Sequence, residues 1–284
     1  MDIPVVEKTV YAPITEEESI LLAVSEGCSY GKCKFCDFAN DPYKVFPLEW
    51  IRENAKYLAK ESGDNPYLFL LGQNSLSLPT AHLLNVLKIV YEFFPQVNHI
   101  GMYARAKDVN IKSDHELSLL RDCGVKALYI GLESGSDEVL SLMNKGTSSS
   151  EFLEACKKLD MLGISYHLTI IGGLGGKNLS NTHMEKTAEI LNKINPASIW
   201  QLKLFIWPNT PLAEMRDTGE FTELTPLEVL QEERELLSRL KVENCVFMDT
   251  TVLNKYSLIG FLPESQSSLL ETIDRLIEEE IQQT

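Results

Sequence analysis

The chain has 284 residues and carries 26 Lys and Arg residues against 41 Asp and Glu residues, a formal net charge of -15 at pH 7. This length can bury one large α/β core, and the negative charge disfavours general binding of nucleic acid. The N-terminus lacks a basic flank and a long apolar run, so we expect no signal peptide and no membrane association. Six cysteines, three of them crowded, suit the reducing cytoplasm better than a disulfide framework.

The order of the predicted elements indicates a parallel α/β fold. After an irregular lead-in over residues 1–18, strands are predicted at 20–24, 67–71, 99–103, 127–132, 166–171 and 199–206. Helices are predicted at 47–62, 79–94, 113–123, 180–194 and, broken at Gly146, at 136–163. Apolar strands alternating with helices predict a parallel sheet covered on both faces, either doubly wound or curved into an incomplete barrel. Beyond residue 206 we predict an extension with helices at 225–240 and 265–281.

The loop after the first strand contains Cys28, Cys33 and Cys36. Thiolates this close in sequence repel one another unless a metal lies between them. Zinc usually takes a fourth protein ligand, and no further Cys or His lies near the loop in the sequence. An iron–sulfur cluster held by three thiolates leaves one iron open for a ligand that is not protein. We favour the iron–sulfur cluster, with zinc as the alternative.

This loop resembles the cluster-binding loop of the radical SAM superfamily. The commonest spacing in that family is CX3CX2C, with an aromatic residue before the third cysteine; here Phe35 holds the aromatic position and the spacing is CX4CX2C. The resemblance implies a [4Fe-4S] cluster on the three cysteines and S-adenosylmethionine (SAM) on the remaining iron. It also selects the barrel, a partial TIM-like (β/α)6 barrel over residues 19–206, with residues 207–284 as an extension that closes it.

Further candidate residues follow the ends of the second and third strands. The family usually shows two glycines and an acid after the second strand, which bind the amino group of SAM; Gln73 and Asn74 stand there and lack the negative charge. An ordinary polar turn is the competing interpretation. Arg105 follows the third strand and could hold a carboxylate, or equally form a surface ion pair.

The end of the fourth strand gives the longest match. The stretch from Ile130 to Gly146 resembles one shared by many radical SAM enzymes, and the family pattern implies that Glu133, Ser134 and Lys145 contact SAM. Lys145 could instead be a helix-end lysine before a glycine cap.

The fifth strand ends in a glycine-rich stretch that begins with Gly172 and Gly173. A phosphate-binding loop is excluded, because Asn178 stands where such a loop needs Ser or Thr. The family instead uses this strand end against the adenine of SAM. We expect His167 and Cys156 to be structural.

The resemblance implies a stand-alone enzyme related to the group of oxygen-independent coproporphyrinogen oxidases. Such an enzyme cleaves SAM reductively to a 5'-deoxyadenosyl radical, which abstracts hydrogen from a small-molecule substrate. Electrons would come from an external donor such as flavodoxin or ferredoxin. We expect one cluster, no auxiliary cluster, no separate cobalamin-binding domain and no N-terminal domain of the methylthiotransferase kind. The alternatives are a zinc or iron–sulfur protein without catalysis, or a partner protein that binds SAM without radical chemistry. The sequence identifies no catalytic residue.

Overall fold

The computed structural model describes residues 12–37, 42–250 and 256–283. Residues 1–11 of the predicted lead-in therefore lie outside the described residues. The chain divides into two compact units. The first unit contains the described residues of Met1–Gly31, Phe38–Ile130 and Met161–Ser165, and the second those of Lys32–Asp37, Gly131–Asp160 and Tyr166–Thr284.

Strands and helices alternate along most of the described chain. The strands are β1 (Ile20–Ala23), β2 (Ser25–Glu26), β3 (Lys44–Val45), β4 (Tyr67–Leu71), β5 (His99–Ala104), β6 (Val125–Glu133), β7 (Ser165–Gly172), β8 (Ser198–Lys203), β9 (Cys245–Asp249) and β10 (Leu258–Leu262). The helices are α1 (Leu48–Leu58), α2 (Thr80–Phe93), α3 (Ala106–Ile111), α4 (Asp114–Asp122), α5 (Asp137–Leu142), α6 (Ser149–Leu162), α7 (Gly176–Leu191), α8 (Pro211–Asp217), α9 (Pro226–Arg239) and α10 (Gln266–Gln283). The main sheet has eight strands, and β2 and β3 form a separate antiparallel pair.

In the first unit, β1 pairs with β4, β4 with β5 and β5 with β6, all in parallel. These strands are buried and apolar because a parallel sheet must be covered on both faces. The rings of Phe69, Tyr103 and Tyr129 pack edge to face. The Tyr129 hydroxyl donates to the buried carboxylate of Glu16 at 2.6 Å, which satisfies both polar groups.

In the second unit, β7 pairs with β8 and β8 with β9 in parallel, and β10 returns antiparallel to β9. Helix α9 begins at a capping box, in which the Thr225 hydroxyl accepts from the Glu228 N–H and the Glu228 carboxylate accepts from the Thr225 N–H. The parallel strands end near one another, so the residues that follow them can form a common site.

The predicted α/β class, with its mostly parallel sheet, is confirmed. All six predicted strands are present, and Ser113 caps α4 in a capping box. Six elements were not predicted: the short helices α3 and α8, the two-residue strands β2 and β3, and the strands β9 and β10. The extension therefore contains two strands of the main sheet besides its helices. None of the helices in the described ranges has the length and apolar character that a bilayer crossing requires.

Candidate functional site

The cysteine loop follows the short strand β2, and its residues fall in both units. Cys28 belongs to the first unit, and Cys33 and Cys36 belong to the second. All three are partly exposed. Among the residues that the structure describes, no three His, Cys, Asp or Glu side chains converge on a position for a single metal ion. Three soft thiolates are the donor set that an iron–sulfur cluster takes, so the residue types fit that group.

In the first unit, Asn74 joins the end of β4 to the cysteine loop. Its side chain is fully buried, and its amide nitrogen donates to the Ser29 hydroxyl and to the Asp108 carboxylate, each at 2.8 Å. The neighbouring Gly72 has a φ of 151°, and a Cβ there would lie 2.2 Å from the Ser25 hydroxyl oxygen. The strand end is therefore closely packed, and Asn74 holds the residue next to Cys28.

Arg105 contacts the same loop from the end of β5. Its guanidinium carbon lies 3.9 Å from the ring centre of Tyr30, a stacking arrangement that arginine favours. Arg105 is also the residue before α3. The first unit thus brings Asn74 and Arg105 to successive residues of the cysteine loop. Gln73, the third predicted residue of these strand ends, is half-buried beside Asn74.

In the second unit, the segment that carries Cys33 and Cys36 is held by backbone hydrogen bonds. The Lys34 N–H donates to the Met143 carbonyl at 2.9 Å, and the Lys34 carbonyl accepts from the Leu212 N–H at 3.0 Å. The Asn144 side chain donates to the Lys32 carbonyl at 2.9 Å. Asn144 has a φ of 51°, which asparagine tolerates better than most residues. The end of α5 and the start of α8 therefore support this segment.

Phe35 lies in the same segment, beside Cys36. It packs against a buried apolar cluster, whose members are Val139, Met143, Ile171, Leu174, Ile206, Leu212, Ala213 and Phe221. The ammonium of Lys145 lies 5.9 Å from the centre of the Phe35 ring. The aromatic position of the loop is therefore anchored in the core of the second unit.

Lys145 also forms an ion pair with Glu133 at the end of β6. The Lys145 nitrogen and the Glu133 carboxylate oxygen are 2.8 Å apart, and only 12% and 10% of the two side chains are exposed. The second carboxylate oxygen accepts from the Thr169 hydroxyl at 3.1 Å. Glu133 has a φ of 60°, a conformation that costs energy for a residue with a side chain and is typical of functional sites. Two of the predicted SAM-binding residues are therefore direct partners.

Ser134 is fully buried behind this pair. Its hydroxyl lies 2.7 Å from Nδ1 of His183, and Nε2 of His183 lies 2.9 Å from the Ile171 carbonyl oxygen. Burial lowers the pKa of His183 to about 4, so the ring is neutral. Because a carbonyl only accepts, Nε2 carries the hydrogen, and the Ser134 hydroxyl donates to Nδ1. The Ser136 N–H in turn donates to the Ser134 oxygen at 3.0 Å.

The glycines that end β7 contact another buried acid. The Gly173 N–H donates to the Glu232 carboxylate at 2.5 Å, and the Ser180 hydroxyl donates to the other Glu232 oxygen at 2.8 Å. Burial raises the pKa of Glu232 to about 7 against the lowering effect of these two donors. Gly173 has a φ of 84°, and Gly172 lies against the Gln201 side chain.

Sequence reasoning missed His183, Glu232 and its neighbour Glu233, all of which are buried. A signal was present for Glu233, because it is spaced three and four residues from Leu230, Leu236 and Leu237 on the apolar side of α9. In the sequence, however, two adjacent acids are more typical of the solvent-exposed face of a helix, so this signal was not recognised.

His167 is half-buried and pairs with the Ser198 hydroxyl at 2.8 Å, and Cys156 is buried.

Comparison with known proteins identifies the family to which this chain belongs. A family model described as the radical SAM superfamily matches residues 22–191. A tRNA-2-methylthio-N(6)-dimethylallyladenosine synthase from Helicobacter pylori (strain Shi470) is 28% identical over 225 residues, which cover 74% of this chain and 48% of that protein. The same enzyme from Wolbachia pipientis subsp. Culex pipiens (strain wPip) is 24% identical, over 92% of this chain and 62% of that protein. This chain thus spans about half to three fifths of the length of these relatives.

Solved structures give the same fold. Coproporphyrinogen III oxidase (HemN) from Escherichia coli, a radical SAM enzyme, matches with a TM-score of 0.59 and 18% identity, over 78% of this chain and 52% of that one. Radical SAM enzymes use a [4Fe-4S] cluster and SAM, and partial TIM barrels are their fold, as predicted. Since the family model covers more than half of the chain, the protein is a member of the radical SAM superfamily of enzymes.

Proposed function

We propose that this enzyme uses SAM cleavage at a [4Fe-4S] cluster to abstract hydrogen from a small-molecule substrate. The observation that carries the proposal is the position of Lys145. It pairs with Glu133 at 2.8 Å and lies 5.9 Å from the ring of Phe35, the residue before Cys36. Residues that the family pattern assigns to SAM are thus adjacent to the cysteine segment within the second unit, although about 100 residues separate them in sequence.

In this proposal the three cysteines ligate three irons and leave the fourth iron open for SAM. SAM bound there supplies a 5'-deoxyadenosyl radical when the cluster is reduced. Lys145 would hold the methionine carboxylate, and Glu133 would accept hydrogen bonds from the ammonium or from ribose hydroxyls. Gly172 and Gly173 would allow the adenine ring to approach the backbone closely.

Asn74 and Arg105 have a different role in the proposal. Both amide hydrogens of Asn74 are directed to Ser29 and Asp108, and Arg105 stacks on Tyr30. These contacts support a role in holding the cysteine loop, so that the ends of β4 and β5 position the first ligand, Cys28. Electrons would come from an external flavodoxin or ferredoxin in the cytoplasm.

Modification of tRNA is the second candidate. It is favoured by the names of the relatives that match in sequence, which are tRNA-modifying synthases. The formal charge of -15 argues against it, because a tRNA-binding surface must neutralise phosphates with Lys and Arg. We therefore favour a small molecule. A gel-shift titration with total tRNA separates the two candidates: a salt-sensitive shift at micromolar protein would favour tRNA.

The test of the main proposal is anaerobic reconstitution with iron and sulfide, followed by incubation with SAM and dithionite. We expect a brown protein that absorbs near ~400 nm, as thiolate-bound iron–sulfur clusters do, and release of 5'-deoxyadenosine. A colourless protein that binds zinc would support the alternative of a zinc protein. A brown protein that binds SAM but releases no 5'-deoxyadenosine would support a binding protein without radical chemistry.

A further inference from the structure

A small polar pocket lies in the second unit, at the ends of β8 and β9. Lys203 is the last residue of β8, Asp249 is the last residue of β9, and Glu233 faces them from α9. Ligands of parallel α/β sheets bind beyond the carboxyl ends of the strands, which is where this pocket lies. The volume of this pocket is about 30 Å³, which is enough for two groups of the size of a water molecule. Only the end of a larger ligand could enter.

Two buried carboxyl groups line this pocket. Glu233 is 1% exposed and Asp249 is 7% exposed. Within the described part of the chain, Glu233 Oε1 and Asp249 Oδ1 receive no hydrogen bond from any donor. The two side chains are hydrogen-bonded to each other, and two buried carboxylates in contact would repel if both were ionised, so the pair must hold a proton or a cation.

The ionisation of the pair supports a shared proton. Burial, and next the charge of Asp249, raise the pKa of Glu233 well above its ordinary range. Burial raises the pKa of Asp249 to about 6, while Glu233 and Lys203 act in the opposite direction. Glu233 is therefore the member of the pair that keeps its proton to higher pH and donates it to the Asp249 carboxylate. With Lys203 positive and Asp249 negative, the pocket has no net charge.

An organic ammonium group fits this arrangement better than a metal ion. It carries one positive charge and three N–H donors, and it is no larger than a water molecule. If it replaces the shared proton, both carboxylates are ionised and the pocket again has no net charge. A divalent metal would need about six oxygen ligands and would add a second charge beside Lys203. The part of the chain that the structure describes offers no group of three or more His, Cys, Asp or Glu ligands here.

We propose that this pocket binds the ammonium end of a small organic amine in place of the proton shared by Glu233 and Asp249, and that such an amine is the substrate. The second half of this proposal rests on the proposed function. The other titratable groups that line the pocket are Lys203 on β8 and Tyr256, whose hydroxyl donates to Glu280 on α10.

The test is calorimetric titration of the reconstituted protein at pH 7 with n-butylamine, putrescine and L-lysine. Titrations in phosphate and in MOPS, whose ionisation enthalpies differ and neither of which carries a primary ammonium group, count the protons released. We expect at least one amine to bind with release of close to one proton, and n-butanol and butyrate not to bind. Glu233→Gln should weaken binding of that amine at least tenfold and abolish the proton release. Glu235→Gln is the matched control on the same helix, since Glu235 is half-buried and pairs with Arg239.

Binding without proton release in the wild-type protein would overturn the proposal, as would the absence of binding by all three amines. A response to Mg²⁺ or K⁺ equal to the response to amines would also overturn it. These titrations of the unmodified protein decide the question even if Glu233→Gln fails to fold. Formation of 5'-deoxyadenosine from SAM and dithionite without amine tests the proposed function separately, because that reaction does not depend on this pocket.

Discussion

The N–H of Gly173, just beyond the end of β7, donates a hydrogen bond of 2.5 Å to the carboxylate of Glu232 on α9. Glu232 is buried, and its pKa is raised to about 7. Because an acid with a raised pKa binds its proton more tightly in the folded protein, it contributes stability below its ordinary pKa. That contribution is lost as the pH rises through 7.

We therefore predict that the difference in unfolding free energy between Glu232→Gln and the wild-type protein depends on pH. Between pH 5 and pH 8 the wild-type protein should lose roughly 1–3 kcal/mol more than the variant, because a raised pKa of this size is worth that much. Urea unfolding at several pH values measures it. Glu235→Gln should keep the wild-type profile, and an unchanged profile in Glu232→Gln would show that Glu232 does not titrate in this range.

Replacement of Cys28, Cys33 or Cys36 with Ala should remove the colour of the reconstituted protein and abolish formation of 5'-deoxyadenosine. The protein should remain folded, because the apolar core does not depend on these partly exposed side chains. Absorbance, iron content and circular dichroism are the measurements. Cys123→Ala is the matched control and should keep both colour and activity.

The triple Cys28/Cys33/Cys36→Ala variant tests the prediction of a single cluster. We expect about four irons per wild-type chain and none in the triple variant. Iron–sulfur absorbance that survives in the triple variant would demonstrate a second cluster and would contradict the prediction.

Lys145→Met and Glu133→Gln should each weaken SAM binding about 10- to 100-fold, the usual cost of losing a charge-assisted hydrogen bond. Lys145→Met should also destabilise the fold by roughly 3–5 kcal/mol, because it leaves Glu133 as a buried charge without its counterion. The double variant should recover much of that stability but not the SAM affinity. Equilibrium SAM titration and urea unfolding separate the two effects.

Lys177→Met is the control for this pair. Lys177 pairs with Glu228 at 3.0 Å, but 43% of its side chain is exposed, so little stability should be lost. If Lys145→Met and Glu133→Gln bound SAM as tightly as the wild-type protein, the assignment of the β6 end to SAM would be wrong.

Asn74→Asp should loosen the cysteine loop although it introduces the acid that the family usually has there. The amide nitrogen of Asn74 donates to both Ser29 and Asp108, and a carboxylate cannot donate to either. A second carboxylate would also face Asp108 in a buried position. Hydrogen exchange at Ser29 and Tyr30 should accelerate at least tenfold. Asn85→Ala, on the exposed side of α2, should not change it, and equal exchange in Asn74→Asp would contradict the anchoring role.

The sequence could predict the parallel strands because each is an apolar run between clear turn residues, as at Tyr67–Leu71. It could not predict β9 and β10, because Cys245–Asp249 is short and its pairing with β8 depends on residues 48 positions earlier in the chain. Helix α3 has only six residues, too few for a periodic pattern.

Part of the candidate site was predictable from the sequence, because the cysteines, Glu133 and Lys145 lie in recognisable motifs. The contacts that support these residues were not predictable, because they join buried residues that are far apart in the sequence and follow no motif spacing. His183 is such a case, since nothing in its local sequence indicates that its ring receives the Ser134 hydroxyl. The left-handed backbone of Glu133 is another, because a glutamate in sequence predicts no positive φ.

The short segment from Ile171 to Gly173 is hydrogen-bonded at its two ends to two buried side chains, of which only one titrates in the physiological pH range. His183, which donates to the Ile171 carbonyl, has a pKa of about 4 and stays neutral throughout the physiological range. Glu232, which accepts from the Gly173 N–H, titrates near pH 7 and so changes its charge within that range. Acidification below pH 7 would thus protonate Glu232 and weaken its hydrogen bond to the Gly173 N–H, while the hydrogen bond from His183 to Ile171 would not change.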